Sequence, residues 1–246
     1  MQIYGVNPVL EALRAGTASE VIAHERAGGS GAEGRRLRDL LALAGRLGVP
    51  VRFADRATLD RLARGGVHQG VAASVRAPEA WTPTALAAAA PGPPLIVVLD
   101  GIEDPHNVGA ILRTVEAAGA TGVVRQTRRA APLTGAVARA SAGAVAHVRV
   151  ADVTNVARAV EELKAAGVWT VGLAAGAPAR YDQVDFRLPT AVVLGAEGSG
   201  LRRLVRERCD LVAAIPMAGH VGSLNVSVAA GVVLFEATRQ RRPVTP

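Results

Sequence analysis

Apolar blocks alternate with amphipathic blocks along the second half of the chain, and each block has the length of a strand or a helix. LIVVLD at residues 95–100 is a continuous apolar run, which is typical of a strand buried on both faces. The same reasoning predicts strands at 121–124, 148–150, 169–173, 190–194 and 211–215, and helices at 108–118, 134–141, 156–166, 201–208 and 227–240. This alternation predicts an α/β domain whose parallel sheet is covered by helices on both faces.

The first 75 residues carry a shorter α/β pattern of their own. The pattern predicts helices at 8–15, 35–47 and 59–63, and strands at 21–24, 49–53 and 70–74. Asn7 is placed to cap the first helix, with Pro8 at its first position. The proline-rich stretch that follows favours a linker. We therefore predict a small domain at 1–75, a linker at 76–94 and a larger domain at 95–246.

Composition narrows the class of protein. Half of the 246 residues are hydrophobic and 20% are charged, which excludes wholesale disorder, while aromatic residues make up only 3%. The single cysteine excludes a disulfide framework and a cysteine-based zinc site, and we assign no metal. No secretory signal is visible, and the longest clean apolar stretch, 226–235, is too short to span a bilayer. We expect a soluble, cytoplasmic protein with no membrane partner.

The charge balance suggests a polyanionic partner. Arginine carries almost all of the positive charge, and the formal net charge is +7 with a sequence pI near 11.0. Three clusters of arginines are candidate phosphate contacts, although each is also what an ordinary solvated face would show: Arg35, Arg36 and Arg38; Arg125, Arg128 and Arg129; and Arg239, Arg241 and Arg242.

A glycine-rich segment near the amino terminus offers a competing hypothesis. Residues 29–34 satisfy G-x-G-x-x-G, with a strand before them and a helix after them, as in dinucleotide-binding domains. The glycines are separated from the end of that strand by several residues, however, which favours a flexible surface loop. A nicotinamide-dependent oxidoreductase is therefore the least favoured of the alternatives.

The loops after the apolar strands hold more specific candidates, because ligands bind at the carboxyl ends of the strands in such sheets. After the strand at 95–100, Asn107 is placed to cap a helix, and Arg113 shares a helical face with Gly109 and Ala110. Small residues on that face allow another segment to approach closely. A solvated helix charge is the alternative interpretation of Arg113.

Two further loops follow the strands at 190–194 and 211–215. Three glycines surround Glu197 in residues 195–200, which favours a cationic or hydroxyl-bearing ligand over a phosphate; the alternative is a carboxylate at a helix amino terminus. In the second loop, Ser223 and Asn225 flank Leu224, and either could cap the final helix. No histidine or aspartate is placed to activate Ser223, which argues against a hydrolase triad.

Together these loops resemble the motifs of the SpoU (TrmH-like) RNA 2′-O-ribose methyltransferases of the SPOUT superfamily. The matching patterns are Asn-x-x-Ala-x-x-Arg at 107–113, Gly-x-Glu-Gly-x-Gly at 195–200, Ile-Pro-Met at 215–217 and Ser-Leu-Asn-Val-Ser at 223–227. Residues 5–9 (GVNPV) and 68–71 (HQGV) resemble the family's amino-terminal substrate-binding domain, which is similar to ribosomal protein L30e. Residues 132–144 resemble the subgroup that methylates guanosine in 23S rRNA. His147 departs from the acidic residue expected there.

The resemblance implies a function and a set of roles. S-adenosylmethionine would lie in a carboxyl-terminal trefoil knot against Gly195, Ile215 and Leu224, the partner would be 23S rRNA, and the chain would form a homodimer. Asn107, Arg113, Glu197, Ser223 and Asn225 would form the reaction centre. Since arginine is not normally deprotonated in proteins, we assign Arg113 to an electrostatic clamp rather than to a base. A tRNA 2′-O-methylase and a catalytically silent RNA-binding relative remain alternatives.

Overall fold

The computed structural model describes residues 2–25, 32–76, 80–128, 130–133 and 135–242, without the side chains of residues 32 and 33. Their strands are β1 (Gln2–Tyr4), β2 (Ala18–His24), β3 (Val51–Ala54), β4 (Val71–Val75), β5 (Leu95–Asp100), β6 (Gly122–Gln126), β7 (Val150–Val153), β8 (Trp169–Leu173), β9 (Ala179–Arg180), β10 (Thr190–Gly195) and β11 (Leu211–Ala214). Their α-helices are α1 (Val6–Arg14), α2 (Ala32–Arg46), α3 (Arg56–Ala63), α4 (Pro83–Ala88), α5 (Pro105–Ala117), α6 (Ala136–Ala140), α7 (Val156–Ala165), α8 (Arg203–Arg208) and α9 (Val226–Arg241).

The chain divides into two compact units. Unit 1 contains Met1–Pro78 and Pro132–His147, and unit 2 contains Glu79–Ala131 and Val148–Pro246. Unit 1 has a four-stranded mixed sheet in the order β1-β4-β2-β3, in which only β2 and β3 run parallel. The helices and strands predicted within residues 8–74 are present, with shifted ends. β1 was not predicted, because three residues are too few for a periodic pattern.

The start of α1 differs from the prediction. Asn7 lies inside the helix and does not cap it: the N-cap is Gly5, whose φ of 98° suits glycine. The first free N–H of the helix, that of Val6, donates instead to the side-chain oxygen of Gln69 at 3.1 Å. A residue more than sixty positions away thus satisfies a helix terminus that normally needs a local side chain.

Unit 2 is built on a seven-stranded sheet in the order β7-β6-β5-β10-β8-β11-β9, and every pairing in it is parallel. All six residues of β5 are buried, as are the first five of β10 beside it. This confirms the parallel sheet predicted from the apolar runs. None of the described helices has both the length and the apolar character needed to cross a membrane.

The proline-rich stretch at 76–94 is not a simple linker, because it contains α4. Thr82 caps this helix by accepting a hydrogen bond from the N–H of Ala85 at 3.1 Å, and Pro83 occupies its start, where proline is tolerated. Leu86 is completely buried in the same core as Ile96. The alanines that resembled a flexible connection therefore form a helix that belongs to unit 2.

A second difference concerns Pro132–His147, which was predicted within the larger domain but packs in unit 1. The Arg139 guanidinium lies 5.1 Å from the centre of the Tyr4 ring, and His147 Nε2 lies 2.9 Å from a carboxylate oxygen of Glu11. A Cβ at Gly143 would lie 2.6 Å from the Glu11 side chain, so glycine permits this approach. The Glu11 carboxylate also gives a physical reason for the unexpected histidine.

Several arginines considered as phosphate contacts are used inside the fold. Arg125 bonds the Asp152 carboxylate at 2.8 Å and the Ala131 carbonyl at 2.6 Å, and Arg239 forms two hydrogen bonds with Glu236. Burial lowers the pKa of Arg241, and its guanidinium donates to the carbonyl oxygens of Pro93, Pro94, Phe186 and Leu188. Arg129 lies outside the described residues. Arg239 and Arg241 therefore stabilise α9 and its neighbours.

Candidate active site

Three loops at the carboxyl ends of β5, β10 and β11 meet in one hydrogen-bonded cluster. The side-chain amide of Asn225 donates to Asn107 Oδ1 at 2.9 Å and to Glu197 Oε1 at 2.5 Å. These residues come from three segments that are separated by up to 118 positions. The predicted convergence of the three motif loops is therefore confirmed in the geometry of unit 2.

The orientation of the Asn225 amide is fixed by the helix that follows it. Asn225 Oδ1 accepts hydrogen bonds from the backbone N–H of Ser227 at 2.9 Å and of Val228 at 3.4 Å, and so caps α9. Because backbone N–H groups only donate, the oxygen must face the helix and the NH₂ group must face Glu197 and Asn107. One side chain thus caps α9 and joins the other two loops.

Asn107 does not cap α5 as predicted. The helix begins two residues earlier at Pro105, and Asp104 caps it by accepting from the N–H of His106 at 3.0 Å. Asn107 lies in the first turn and is only 7% exposed. Its Nδ2 bonds no other described residue, yet the described residues contain no buried side-chain nitrogen or oxygen without a partner. Nδ2 is therefore accessible and can donate to a ligand.

The loop that carries Glu197 folds back tightly on itself. A Cβ at Gly195 would lie 2.2 Å from the carbonyl carbon of Gly200, and Ala196 pairs with Gly200 in an antiparallel bridge. α8 begins only at Arg203, so Glu197 lies outside its first turn, and the interpretation as a helix-terminal charge is wrong. The loop therefore presents an exposed carboxylate at a fixed position.

An ion pair that the sequence did not suggest anchors this loop. Asp100, at the end of β5, is completely buried and accepts from the backbone N–H of Arg202 at 2.8 Å and from its Nε at 2.5 Å. Asp100 is also in register with Gly195 on the neighbouring strand. The only feature of the sequence that could have indicated this ion pair is the acidic residue at the end of a fully apolar strand. The ion pair therefore fixes this segment at Arg202, while the pairing of β10 with β5 fixes it at Gly195.

A cavity of about 300 Å³ opens beside the cluster, between the loops after β8, β10 and β11. Its lining includes all three predicted cofactor residues, Gly195, Ile215 and Leu224. Glu197 and Ser223 line it as well, whereas Asn107, Arg113 and Asn225 do not. Sequence reasoning missed a group of small or apolar lining residues, among them Leu173, Ala174, Ala175, Met217 and Ala229. The cavity offers apolar surface and glycine backbone with one carboxylate, which suits a flat heterocyclic ligand with polar substituents.

Arg113 is exposed on α5 and is not part of the hydrogen-bonded cluster. It makes no hydrogen bond or ion pair with another residue in the described part of the chain. It lies six positions after Asn107, which corresponds to about 9 Å along the helix axis and to a different side of the helix. Its guanidinium is therefore free to bind an anion.

Two models of known protein families match the chain, each over a different part of it. The model of the SpoU rRNA Methylase family matches residues 94–235, which is more than half of the chain. This chain belongs to the SpoU family. The model described as RNA 2′-O ribose methyltransferase substrate binding matches residues 2–81 of this SpoU protein.

Individual relatives of this SpoU protein cover most of its length. The 23S rRNA (guanosine-2′-O-)-methyltransferase RlmB of Pseudomonas putida is 48% identical over 216 residues, covering 85% of this chain and 87% of the relative. An uncharacterized tRNA/rRNA methyltransferase of Mycolicibacterium gilvum is 46% identical over 245 residues, covering 98% and 76%. The solved structure of the SpoU methyltransferase AviRb from Streptomyces viridochromogenes in complex with AdoMet has a TM-score of 0.78 at 27% identity, covering 98% and 90%.

Family membership also bears on the dinucleotide-binding alternative. The strand before the glycine-rich segment, β2, does pair parallel with β3 across α2, but residues 2–81 match the RNA 2′-O ribose methyltransferase substrate-binding model and not a dinucleotide-binding domain. Residues 29–31 of that motif lie outside the described residues. The oxidoreductase hypothesis is therefore wrong.

The single thiol of this SpoU protein is expected to resist alkylation. Burial raises the pKa of Cys209 to about 11, and its Sγ contacts the Val205 carbonyl at 3.3 Å. Because only the thiolate reacts, iodoacetamide at pH 8 should modify the folded protein about 100-fold more slowly than the urea-unfolded chain. Mass spectrometry of timed samples measures both rates, and equal rates would contradict the burial of this group.

Proposed function

We propose that this protein transfers the methyl group of S-adenosylmethionine to the ribose 2′-oxygen of a guanosine in 23S rRNA. The observation that carries the proposal is the single cluster of Asn107, Glu197 and Asn225, which joins the three family motifs beside one cavity. The 48% identity to the P. putida enzyme named for this reaction supports the substrate. Such a substrate agrees with the expected cytoplasmic location.

The cavity fits the cofactor by its chemistry. Ile215 and Leu224 provide apolar contacts for the adenine, and the backbone at Gly195 leaves room for close approach. The exposed Glu197 carboxylate at the rim can attract a cation or accept from a ribose hydroxyl. The AdoMet complex of AviRb, which has a similar fold, supports this placement. When bound, the cofactor supplies a methyl group on a positively charged sulfur with a good leaving group.

The residues of this chain must then orient and activate a ribose hydroxyl. The accessible Nδ2 of Asn107 donates to the sugar oxygen, and Asn225 holds Asn107 in the required orientation. Arg113 stabilises the developing alkoxide or the adjacent phosphate, because an oriented guanidinium is a strong hydrogen-bond donor. The proton passes to water or to an RNA phosphate. Ser223 borders the cavity, where its hydroxyl can bind the substrate or the cofactor.

A direct assay tests the proposal. Purified protein, radiolabelled S-adenosylmethionine and 23S rRNA should yield 2′-O-methylguanosine, identified by mass spectrometry of nuclease digests. An equal assay with tRNA tests the alternative favoured by the wider name of the M. gilvum relative. Calorimetry without RNA should detect cofactor binding, and its absence would favour a silent RNA-binding protein. Failure to methylate either RNA would overturn the proposed reaction.

Arg113→Lys is expected to lower the single-turnover rate on saturating RNA by about 100-fold. Lysine keeps the positive charge but loses the planar two-pronged donor that binds two oxygens together. Arg158, which is exposed and bonds Glu162 on α7, provides the matched control, and Arg158→Lys should keep the full rate. Rapid-quench measurement gives both rates. A near-normal rate for Arg113→Lys would contradict the clamp.

We also propose that unit 2 contains the family's trefoil knot and that residues 2–81 form its L30e-like domain. The arrangement of three loops, after β8, β10 and β11, around one cavity supports the first statement. The match of residues 2–81 to the substrate-binding model supports the second.

A homodimer is proposed on the exposed face of α9. Val228 and Phe235 are 52% and 49% exposed and lie seven residues apart, which places them on the same side of the helix. Phe235→Glu should therefore convert a dimer into a monomer, as measured by light scattering after size-exclusion chromatography. Leu47 is a similarly exposed apolar residue in unit 1, so Leu47→Glu should remain dimeric. A dimeric Phe235→Glu protein would contradict this interface.

A further inference from the structure

Unit 1 contains a second cavity, of about 440 Å³, that no proposed reaction step uses. Its lining comes from the end of β2, the exposed side of α3 and the loop before β4: His24, Arg56, Asp60, Gly66, Val67, His68, Gln69 and Gly70. We propose that this cavity binds one nucleotide of the RNA substrate away from the methylated ribose, with the phosphodiester on Arg56. The inference rests on the proposed RNA substrate and names one of its subsites.

The loop that forms the floor of this cavity is held in a costly conformation. Gln69 has a φ of 52°, which side chains other than glycine rarely adopt, and its Oε1 is tied to the Val6 N–H. The Gly70 N–H donates to His68 Nδ1 at 3.0 Å, so Nε2 carries the ring proton and donates to Asp60 at 3.1 Å. Such a conformation persists only where the surrounding structure enforces it, and it is enriched at binding sites.

The start of the same loop is constrained as well. A Cβ at Gly66 would lie 2.4 Å from the Tyr4 hydroxyl, so the loop packs directly on the Tyr4 ring. The Tyr4 ring is buried, and the Arg139 guanidinium lies 5.1 Å from its centre. The cavity therefore has its shape before a ligand arrives, which lowers the entropic cost of binding.

The cavity lining holds one arginine that is available to an anion. The Arg56 side chain is 81% exposed, and its nearest carboxylate oxygen, on Asp60, lies 3.9 Å away. The other oxygen of Asp60 is engaged by His68. By contrast, Arg14 bonds Glu11 at 2.6 Å. Because its ion pair with Asp60 is long, the exposed Arg56 guanidinium can bind a phosphate, and the exposed Val67 in the same lining offers apolar surface to a base.

The test compares two arginines of unit 1 that carry the same charge. Arg56→Gln should weaken binding of a 23S rRNA fragment about five- to tenfold and reduce the slope of log Kd against log salt by about 1. Arg14→Gln removes the same charge from a paired position and should change the Kd less than about twofold. Filter binding over a range of KCl concentrations measures both, with cofactor affinity as a check on folding.

Kinetics and crosslinking distinguish RNA binding at this cavity from a role of Arg56 in the methyl transfer itself. The Arg56→Gln substitution should raise the KM for RNA. It should leave the rate at saturating RNA unchanged, because Arg56 does not touch the reacting atoms. A photoreactive benzophenone residue at Val67 should crosslink to RNA outside the methylated nucleotide, whereas one at Leu47 should not.

Equal Kd values for Arg56→Gln and Arg14→Gln, or an unchanged Kd with a lowered saturating rate, would overturn the inference. Failure of the wild-type protein to methylate RNA would instead count against the proposed reaction, because the binding and crosslinking results would still report on this cavity.

Discussion

Asn225→Ala is expected to lower kcat/KM for RNA methylation by at least about 100-fold, equivalent to about 2.7 kcal/mol of transition-state stabilisation. The change removes both donors that hold Asn107 and Glu197, so the accessible amide of Asn107 loses its fixed direction. It also removes the cap of α9, which costs about 1 kcal/mol of stability. Steady-state methylation and thermal unfolding measure the two effects.

A second capping asparagine separates these effects. Asn155 caps α7 by accepting from the N–H of Arg158 at 3.1 Å and takes no part in the cluster. Asn155→Ala should therefore lose similar thermal stability and keep full activity. Asn225→Asp keeps the capping oxygen but places a carboxylate against Glu197, so it should retain stability better than activity. A similar loss of activity in the Asn155 and Asn225 alanine variants would mean that Asn225 acts only through folding.

The parallel sheet could be predicted because its strands carry their own signal. Residues 95–100 are apolar on both sides, and only burial between two layers of helices satisfies such a run. Helix ends carry a weaker signal. Asp104 and Asn107 are equally good caps by residue type, and the chain selects Asp104 because Pro105 can occupy the first position of a helix. The apolar pattern alone does not distinguish them, whereas the proline does.

Contacts between distant segments account for the rest of the differences. Pro132–His147 packs in unit 1 through Tyr4 and Glu11, and nothing in its local pattern indicates those partners. The same holds for Gln69, which caps α1 from a distant loop. His147 was the one residue whose type was unexpected, and Glu11 explains it.

In the candidate site, too, local patterns were predictable and contacts between distant segments were not. Residue types and motif spacing indicated which loops converge, because the carboxyl ends of parallel strands share one edge of the sheet. They did not indicate that Asn225 is the connecting side chain or that Arg113 stays outside the cluster. Asp100 and Arg202 were missed altogether, since an ion pair across 102 positions leaves no periodic trace in a sequence.

Arg202→Ala is expected to lower the free energy of unfolding by about 2 to 3 kcal/mol, and Asp100→Asn by about half as much. The asymmetry follows from burial: removing Arg202 leaves a carboxylate with no exposed surface and only one backbone donor, whereas removing the charge of Asp100 leaves a guanidinium that is already 55% exposed. The cost stays below that of a fully buried pair because water reaches the arginine side.

Urea unfolding of the two single variants and of the double variant measures this asymmetry. The double variant should be more stable than Arg202→Ala alone, since it no longer buries an unpaired charge. Arg203→Ala is the control, because Arg203 pairs with Glu207 on the exposed side of α8 and should cost less than about 0.5 kcal/mol. Cofactor affinity should fall with Arg202→Ala, because the loop from Gly195 to Arg202 loses its anchor. A double variant less stable than both single variants would show that the pair contributes through packing, and not through the charge of Asp100.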